Sequence, residues 1–294
     1  MKNVLVTGGA GFIGSHLCEG LLARGYRVRV LDNLSYGRRE WVPEACEFLE
    51  GDIRNADTCA RAVNGMDGVF HLAAMSRAGP SNDLIELCTE SNITGTQNML
   101  LAARGAGVKR FLYAGSATAY GSLPPPHRED GPLQFLNIYA LTKKTGEDYC
   151  LLFDRDFGLP SVVLRYFSAY GPRQPQTGAY ALVLGIFLSR AAAGKTLEIH
   201  GDGSQRRDFV HVRDIVAANI AAYESNVRGQ VFNVGSGANI SVKELADMIS
   251  PDQVRREARR DDSMATLADI SRIKAALGWE PKVSFAEGLR ELLR

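Results

Sequence analysis

Long apolar runs are missing from this sequence. The first one, Val4-Leu5-Val6, breaks off at Thr7-Gly8-Gly9, so neither a signal peptide nor a membrane span is expected, and the cytoplasm is the default location. Cysteine is scarce: Cys18, Cys46, Cys59, Cys88 and Cys150 are odd in number and scattered, with no C-x-x-C and no Cys/His cluster. That pattern excludes a disulfide framework and a zinc site of ordinary spacing, so no metal is expected and buried free thiols are predicted. An excess of one charge is also lacking. Thirty-four Lys and Arg stand against 33 Asp and Glu, a net charge of +1, which gives no general attraction to nucleic acid or acidic membranes. The basic cluster Arg255–Arg260 is the local exception, and Asp261 and Asp262 follow it directly, so it reads as a solvated loop or a ligand anchor. Proline clusters once, at Pro124-Pro125-Pro126, and repeats, low-complexity tracts and flexible linkers are absent.

What is present is ordinary globular composition, 45% hydrophobic and 23% charged over 294 residues, enough for one large domain or two joined lobes. Residues 2–7, 26–31, 46–49, 67–72, 110–114 and 161–166 read as strands. Helical patterns lie between them, after Gly14 to about Arg24 and then at 55–64, 83–104 and 138–157. This alternation predicts an α/β fold with a doubly wound parallel sheet. After Gly171-Pro172 the character changes. A helix at 180–193, strands at 196–200 and 207–212, a helix at 213–224, a strand at 230–234 and helices near 241–249, 270–277 and 284–293 describe a smaller C-terminal α/β lobe. At least one of these segments is expected to cross back to the sheet.

Gly8-Gly9-Ala10-Gly11-Phe12-Ile13-Gly14 follows the first strand and opens a helix, the setting in which glycines let a backbone approach a pyrophosphate. Asp32 ends the second strand, a little over twenty residues on, where a carboxylate accepts from ribose hydroxyls and repels a 2′-phosphate. NAD is therefore favoured over NADP, with Arg38 and Arg39 nearby acting in the other direction. Asp52 and Ile53 are placed to meet an adenine ring, and Leu72-Ala73-Ala74 leaves room for the cofactor's diphosphate and ribose. Residues 1–171 thus read as an NAD-binding Rossmann domain and 172–294 mainly as a substrate-binding lobe.

Tyr139 and Lys143 lie four apart in a predicted helix, one turn from each other on one face. A nearby ammonium favours the phenolate, so the pair is suited to act as a general base. Ser116 and Thr118 stand at the end of the strand before it, at the edge that faces ligands in such sheets.

Taken in order, these segments resemble the extended short-chain dehydrogenase/reductases, in particular the NAD-dependent nucleotide-sugar epimerases and dehydratases, with UDP-sugar 4-epimerases nearest. The resemblance rests on Gly8–Gly14, Asp32-Asn33, Gly51–Ile53, His71–Ala74, Asn92–Thr96, Ser116–Gly121 and Tyr139/Lys143, and continues through Arg165–Arg173, Gly201–Val212, Phe232–Gly235 and Gly278-Trp279. It implies that Tyr139 is the base, that Lys143 lowers its pKa and holds the nicotinamide ribose, and that Ser116 bonds the reacting sugar hydroxyl. It also implies cofactor contacts from Phe12, Ile13, Asn33, Asn92, Tyr166 and Phe167. Substrate contacts are implied for Ser76, Arg77, Thr118 and Ser168, with Arg207 and Arg259 on the diphosphate and Asp262 on the nucleotide's ribose. The family's dehydratases carry an Asp-Glu pair where this chain has Ala117 and Thr118, which points to 4-epimerisation through a transient 4-keto sugar. Dehydration, decarboxylation of a UDP-uronic acid, net reduction by NAD(P)H and a non-catalytic binding role are the alternatives. Ser168 replaces a usual asparagine, Met75-Ser76-Arg77 is an unusual continuation of the fourth strand, and Thr266 falls near a position that gates bulk at C2. By the same resemblance, helices 83–104 and 138–157 are expected to pair as a four-helix bundle in a homodimer.

Overall fold

The computed structural model describes residues 2–178, 181–258 and 264–294. β1 (Asn3–Thr7) passes through α1 (Phe12–Ala23) to β2 (Arg27–Asp32), which pairs with β1 in parallel. β3 (Glu47–Glu50) adds beyond β2, and after α2 (Ala56–Val63) the chain returns as β4 (Gly68–His71) on the other side of β1. α3 (Ala78–Ser81), α4 (Ile85–Thr89) and α5 (Gly95–Gly105) lead to β5 (Arg110–Ser116), and α6 (Ile138–Phe157) leads to β6 (Ser161–Tyr166). The next elements are β7 (Ser168–Tyr170), α7 (Val183–Ala192), β8 (Leu197–His200), β9 (Arg206–Arg207), β10 (Phe209–His211) and α8 (Val212–Glu224). β11 (Gln230–Val234) then pairs with β6, and β12 (Ile240–Ser241), α9 (Val242–Ile249), β13 (Gln253–Arg256), α10 (Ser271–Leu277) and α11 (Phe285–Leu292) complete the order.

The main sheet has seven parallel strands in the order β11-β6-β5-β4-β1-β2-β3. Strands buried on both faces need apolar residues at consecutive positions, and Val4-Leu5-Val6 supplies them. Val4 and Val6 pack with Leu17, Leu21 and Ala218 on the face covered by α1 and α8. Leu5 packs with Val69, Met99 and Cys150 on the face covered by α2, α5 and α6. Each such side chain contributes about 1.5–3 kcal/mol through burial. A separate core of Tyr170, Phe187, Leu197, Phe209, Leu245 and Leu289 holds α7, α9, α11 and the short strands together.

Three expectations are corrected. The helix expected at 83–104 is α4 and α5 joined by a wide π-type turn at Glu90–Thr94, with the short α3 before it. That turn sets Asn92 against the backbone of Met75, and such insertions often accompany functional positions. Arg255 and Arg256, read as part of a solvated loop or ligand anchor, belong to β13 and pair with β8, where Arg256 meets Glu198 at 2.9 Å. The segment at 207–212 divides into β9 and β10, which pair with different partners, β12 and β7.

Candidate active site

The order of strands reverses between β1 and β4, and a crevice opens beyond the carboxyl ends of such a pair. Gly8 to Gly14 form its floor. A Cβ on Gly14 would lie 2.1 Å from Gly8 O, and one on Gly8 would lie 2.8 Å from Ala73 N, so only glycine permits this close turn. α1 starts at Gly11 with no side-chain cap and no acidic residue in its first turn, which leaves its amides and dipole to an anion. Phe12 and Ile13 follow at the helix start, both partly buried.

Asp32 is buried at the end of β2. Its carboxylate accepts from Ala10 N–H at 3.0 Å and Leu34 N–H at 2.9 Å; burial pushes its pKa up while those donors favour the charge. Asn33 donates to Asp52 at 2.9 Å, tying the loop after β2 to the one after β3. Ile53 turns its side chain into the core, so any contact it makes with an adenine ring comes through its backbone or edge. The residues present fit a dinucleotide: an uncapped helix start for its diphosphate, glycines that admit it, and a carboxylate at the ribose position.

The loop Leu72-Ala73-Ala74 is fixed by a chain of hydroxyls. Thr96 Oγ1 donates to Asn92 O at 2.7 Å, so it accepts from His71 Nε2 at 3.1 Å, and His71 Nδ1 then accepts from Thr7 Oγ1 at 2.8 Å. Thr7 Oγ1 accepts in turn from Leu72 N and Ala73 N. Burial drives the His71 pKa down to about 3, so the ring stays neutral and this assignment persists at physiological pH.

α6 begins where three side chains satisfy its free amides: Asn137 accepts from Ala140 N at 2.9 Å, Ser81 from Tyr139 N at 3.1 Å and Asn82 from Ile138 N at 3.3 Å. The end of α3 thereby fixes the backbone of Tyr139. The helix rides close on β5, since a Cβ at Gly146 would fall 2.2 Å from Tyr113 Oη. Ser116 ends β5, and its Oγ lies 2.8 Å from Thr118 Oγ1. Lys143 is buried, with Nζ 4.1 Å from the centre of the Tyr113 ring.

Electrostatics here corrects the simple expectation for the pair. Burial pushes the Tyr139 phenol up, and what favours its phenolate is the nearby Ser116 hydroxyl and the charge of Arg77. Burial also pulls Lys143 down to about 7, which weakens the very ammonium expected to lower the phenol.

Asn92 is held by protein partners. Its carbonyl accepts from Met75 N at 2.8 Å, and its amide donates to Met75 O at 3.0 Å and Thr142 Oγ1 at 3.0 Å, so it clamps the loop after β4 onto α6. With both ends of the amide engaged, it holds the loop after β4 in place beside the site. Tyr166 is committed elsewhere, its hydroxyl 2.9 Å from Asn219 Oδ1 on α8 within the core. Phe167 is buried beside Tyr120 and His127. Ser76 is exposed, and Arg77 donates from Nη2 to Ala181 O at 2.7 Å, spanning from the loop after β4 to the segment before α7. Ser168 on β7 and Arg207 on β9 are both partly buried, and Ser168 N donates to Asp208 O at 3.0 Å. Thr266 Oγ1 accepts from Asp208 N at 3.1 Å. Arg259 and Asp262 lie outside the described residues. Sequence reasoning missed Asp208, whose buried carboxylate accepts from Ala268 N, Ser236 N, Ser236 Oγ and Gly237 N and so gathers the loops around β10. Among the described residues no group of His, Cys, Asp and Glu is arranged to hold a metal.

A dinucleotide crevice at the switch point of a parallel sheet, beside Ser116, Tyr139 and Lys143, defines an NAD-dependent enzyme of the extended short-chain dehydrogenase/reductase class. The chain belongs to the NAD-dependent epimerase/dehydratase family, which it matches over residues 4–235. It is 38% identical to a UDP-glucose 4-epimerase of Mycolicibacterium smegmatis over 299 residues, 97% of this chain and 95% of that one. The crystal structure of a Thermotoga maritima UDP-glucose 4-epimerase with UDP-glucose superposes with a TM-score of 0.95 at 36% identity, covering 99% of this chain and 97% of the other. A UDP-glucuronic acid 4-epimerase of Bacillus cereus, solved with UDP-glucuronic acid and NAD, superposes at 0.91 with 30% identity and coverages of 99% and 98%.

Proposed function

We propose that the protein is an NAD-dependent 4-epimerase of a UDP-sugar, working through a transient 4-keto sugar. The observation that carries this reading is the buried Lys143 one turn beyond Tyr139 on α6, with Ser116 at the end of the neighbouring β5. Bound NAD supplies a hydride acceptor that later returns the hydride. Tyr139 takes the proton of the sugar 4-hydroxyl as that carbon is oxidised, and returns it after the keto sugar has presented its other face. Ser116 holds the 4-oxygen in line with the phenol. Lys143 keeps the phenolate accessible and bonds the nicotinamide ribose.

Dehydration needs an acid and a base beside Ser116. Ala117 is buried and Thr118 shares a hydrogen bond with Ser116, so neither position supplies an ionising group. Decarboxylation stays within the chemistry, since a 4-keto uronic acid loses carbon dioxide with little further help. One curated relative, 33% identical over 316 residues, is a UDP-N-acetyl-alpha-D-glucosaminuronate decarboxylase of Bacillus cytotoxicus.

On this reading residues 1–171 hold the cofactor together with the returning β11, and 172–294 mainly hold the substrate. Arg207 and Ser168 serve the diphosphate, and the roles expected of Arg259 on the diphosphate and Asp262 on the nucleotide's ribose, outside the described residues, complete the proposal. The protein is a homodimer, supported by exposed Ile85, Leu101, Leu141, Leu152 and Phe157 on the paired helices α4, α5 and α6. Five buried free thiols suit a reducing cytoplasm, and no helix among the described residues is long and apolar enough to cross a membrane.

The test is incubation of the NAD-loaded protein with UDP-, GDP- and dTDP-sugars, products being read by NMR. Inversion at C4 of a UDP-sugar with no net change in NAD(H) is expected. Loss of water or carbon dioxide, or stoichiometric consumption of NAD(H), overturns the proposal. A concentration series by mass photometry checks the dimer.

A further inference from the structure

Lys143 is buried, and among the described residues no carboxylate pairs with it. Glu147, one turn further along α6, gives both of its oxygens to Arg165. A buried ammonium is driven to release its proton, while the base it serves needs its charge. What lies beside it is an aromatic face. Lys143 Nζ stands 4.1 Å from the centre of the Tyr113 ring.

That ring is fixed. Tyr113, on β5, is sealed from solvent, and its hydroxyl donates to Lys143 O at 3.3 Å. One residue thus engages the lysine twice, at its backbone and at its ammonium. Gly146 permits the approach, since a Cβ there would collide with the Tyr113 hydroxyl. The His71 ring packs on Tyr113 with centroids 5.9 Å apart.

We infer that Tyr113 is a positioning residue of the active site, its ring face holding the Lys143 side chain and sustaining its charge beside Tyr139. The inference rests on the roles given to Tyr139 and Lys143 in the proposed 4-epimerase. An aromatic face does here what a carboxylate would not. A carboxylate would cancel the ammonium's field at the phenol and occupy its N–H groups. The ring attracts the cation through its quadrupole, adds no net charge and leaves N–H donors for the cofactor's ribose.

The other titratable groups around Lys143 are Cys88 on α4, Cys150 on α6 and His71 on β4, besides Glu147. Burial pushes both thiols up and the imidazole down, so all three stay neutral near pH 7. The charge of Arg77 acts on Tyr139 as well. None of these groups is altered by a change in the Tyr113 ring alone.

The experiment weakens the face of the ring while keeping its shape. Tyr113→Phe is the starting variant, and mono-, di- and trifluorophenylalanine are placed at the same position, each fluorine withdrawing charge from the face. The titration of Lys143 is read by competitive acetylation and mass spectrometry with no nucleotide added. The pH profile of kcat is read on the NAD-loaded protein with the UDP-sugar it inverts. Lys143 is expected to titrate lower with each fluorine, by about one pH unit over the series. The active pH range is expected to narrow, because the ammonium is lost earlier on the alkaline side and the phenolate forms later on the acid side. Tyr113→Leu, apolar but without a π face, is expected to lower the Lys143 titration likewise. A titration indifferent to fluorination means that the ring only packs there, and overturns the proposal whatever the turnover. A graded titration with no sugar inverted overturns the epimerase reading and leaves the hold of Tyr113 on Lys143 standing.

Discussion

Arg165 and Glu147 meet through two parallel hydrogen bonds, Nε to Oε2 at 2.8 Å and Nη2 to Oε1 at 2.7 Å, with both side chains almost sealed from solvent. Glu147 stands one turn beyond Lys143 on α6, and Arg165 lies on β6. Arg165 Nη1 also donates to the Tyr120 hydroxyl at 2.8 Å, which donates to Asn233 Oδ1 at 2.7 Å on β11. A continuous polar line thus joins the catalytic helix to the last strand of the sheet.

Removing one partner strands a buried charge. Glu147→Gln is expected to cost about 3–5 kcal/mol in denaturant unfolding, while Glu147→Leu combined with Arg165→Met recovers most of that loss. A single variant as stable as the wild type would show that the pair contributes nothing there.

Tyr139→Phe removes the proton acceptor and keeps the ring. Turnover is expected to fall by about 10²–10⁴-fold while NAD affinity stays within a few-fold, as read by steady-state kinetics and fluorescence titration. Comparable loss of NAD binding would mean that the hydroxyl serves the cofactor instead.

Lys143 predicts a pH effect on stability. Burial lowers its pKa from the ordinary 10.5 to about 7, so between those values the unfolded chain keeps a proton that the folded chain releases. Stability from this group therefore rises with pH across that window, and the cost of the buried ammonium is greatest below it. Lys143→Met, whose thioether can rest on the Tyr113 ring, is expected to raise Tm by several degrees near pH 6 with no nucleotide added. The gain should fade as pH approaches the ordinary lysine value. A gain that grew with pH would contradict the assigned cause.

Gly14→Ala is expected to weaken NAD binding more than tenfold, because the added Cβ stands 2.1 Å from Gly8 O and must displace the turn. Isothermal titration with NAD provides the check. Unaltered affinity would mean that the turn adjusts freely.

Much of this site is legible in residue order. Gly8–Gly14, Asp32 and Tyr139/Lys143 announce themselves because their chemistry depends on local spacing, and α6, β6 and β11 fall within the spans the periodicity predicts. What escapes is whatever depends on partners distant in the chain. Asn92 and Tyr166 look like cofactor residues by position, yet Met75 and Asn219 take their polar groups. Asp208 reads as one acid in a loop until four donors from residues 236–268 converge on it. Glu147 carried a usable signal, four residues from Lys143 on one helix, but its arginine lies eighteen residues away on β6. β13 was hidden by composition, since Gln-Val-Arg-Arg reads as surface charge and becomes a strand only beside β8.

The return of β11 to the edge of β6 has a consequence for how the chain is made. Until Val234 has left the ribosome, β6 is an open edge, with its backbone donors and acceptors along that side unpaired. The nucleotide-binding half is finished in synthesis long before it is finished in structure. A fragment ending at residue 171 would hold every glycine of the cofactor turn and the whole catalytic helix, and still lack the strand that closes its sheet.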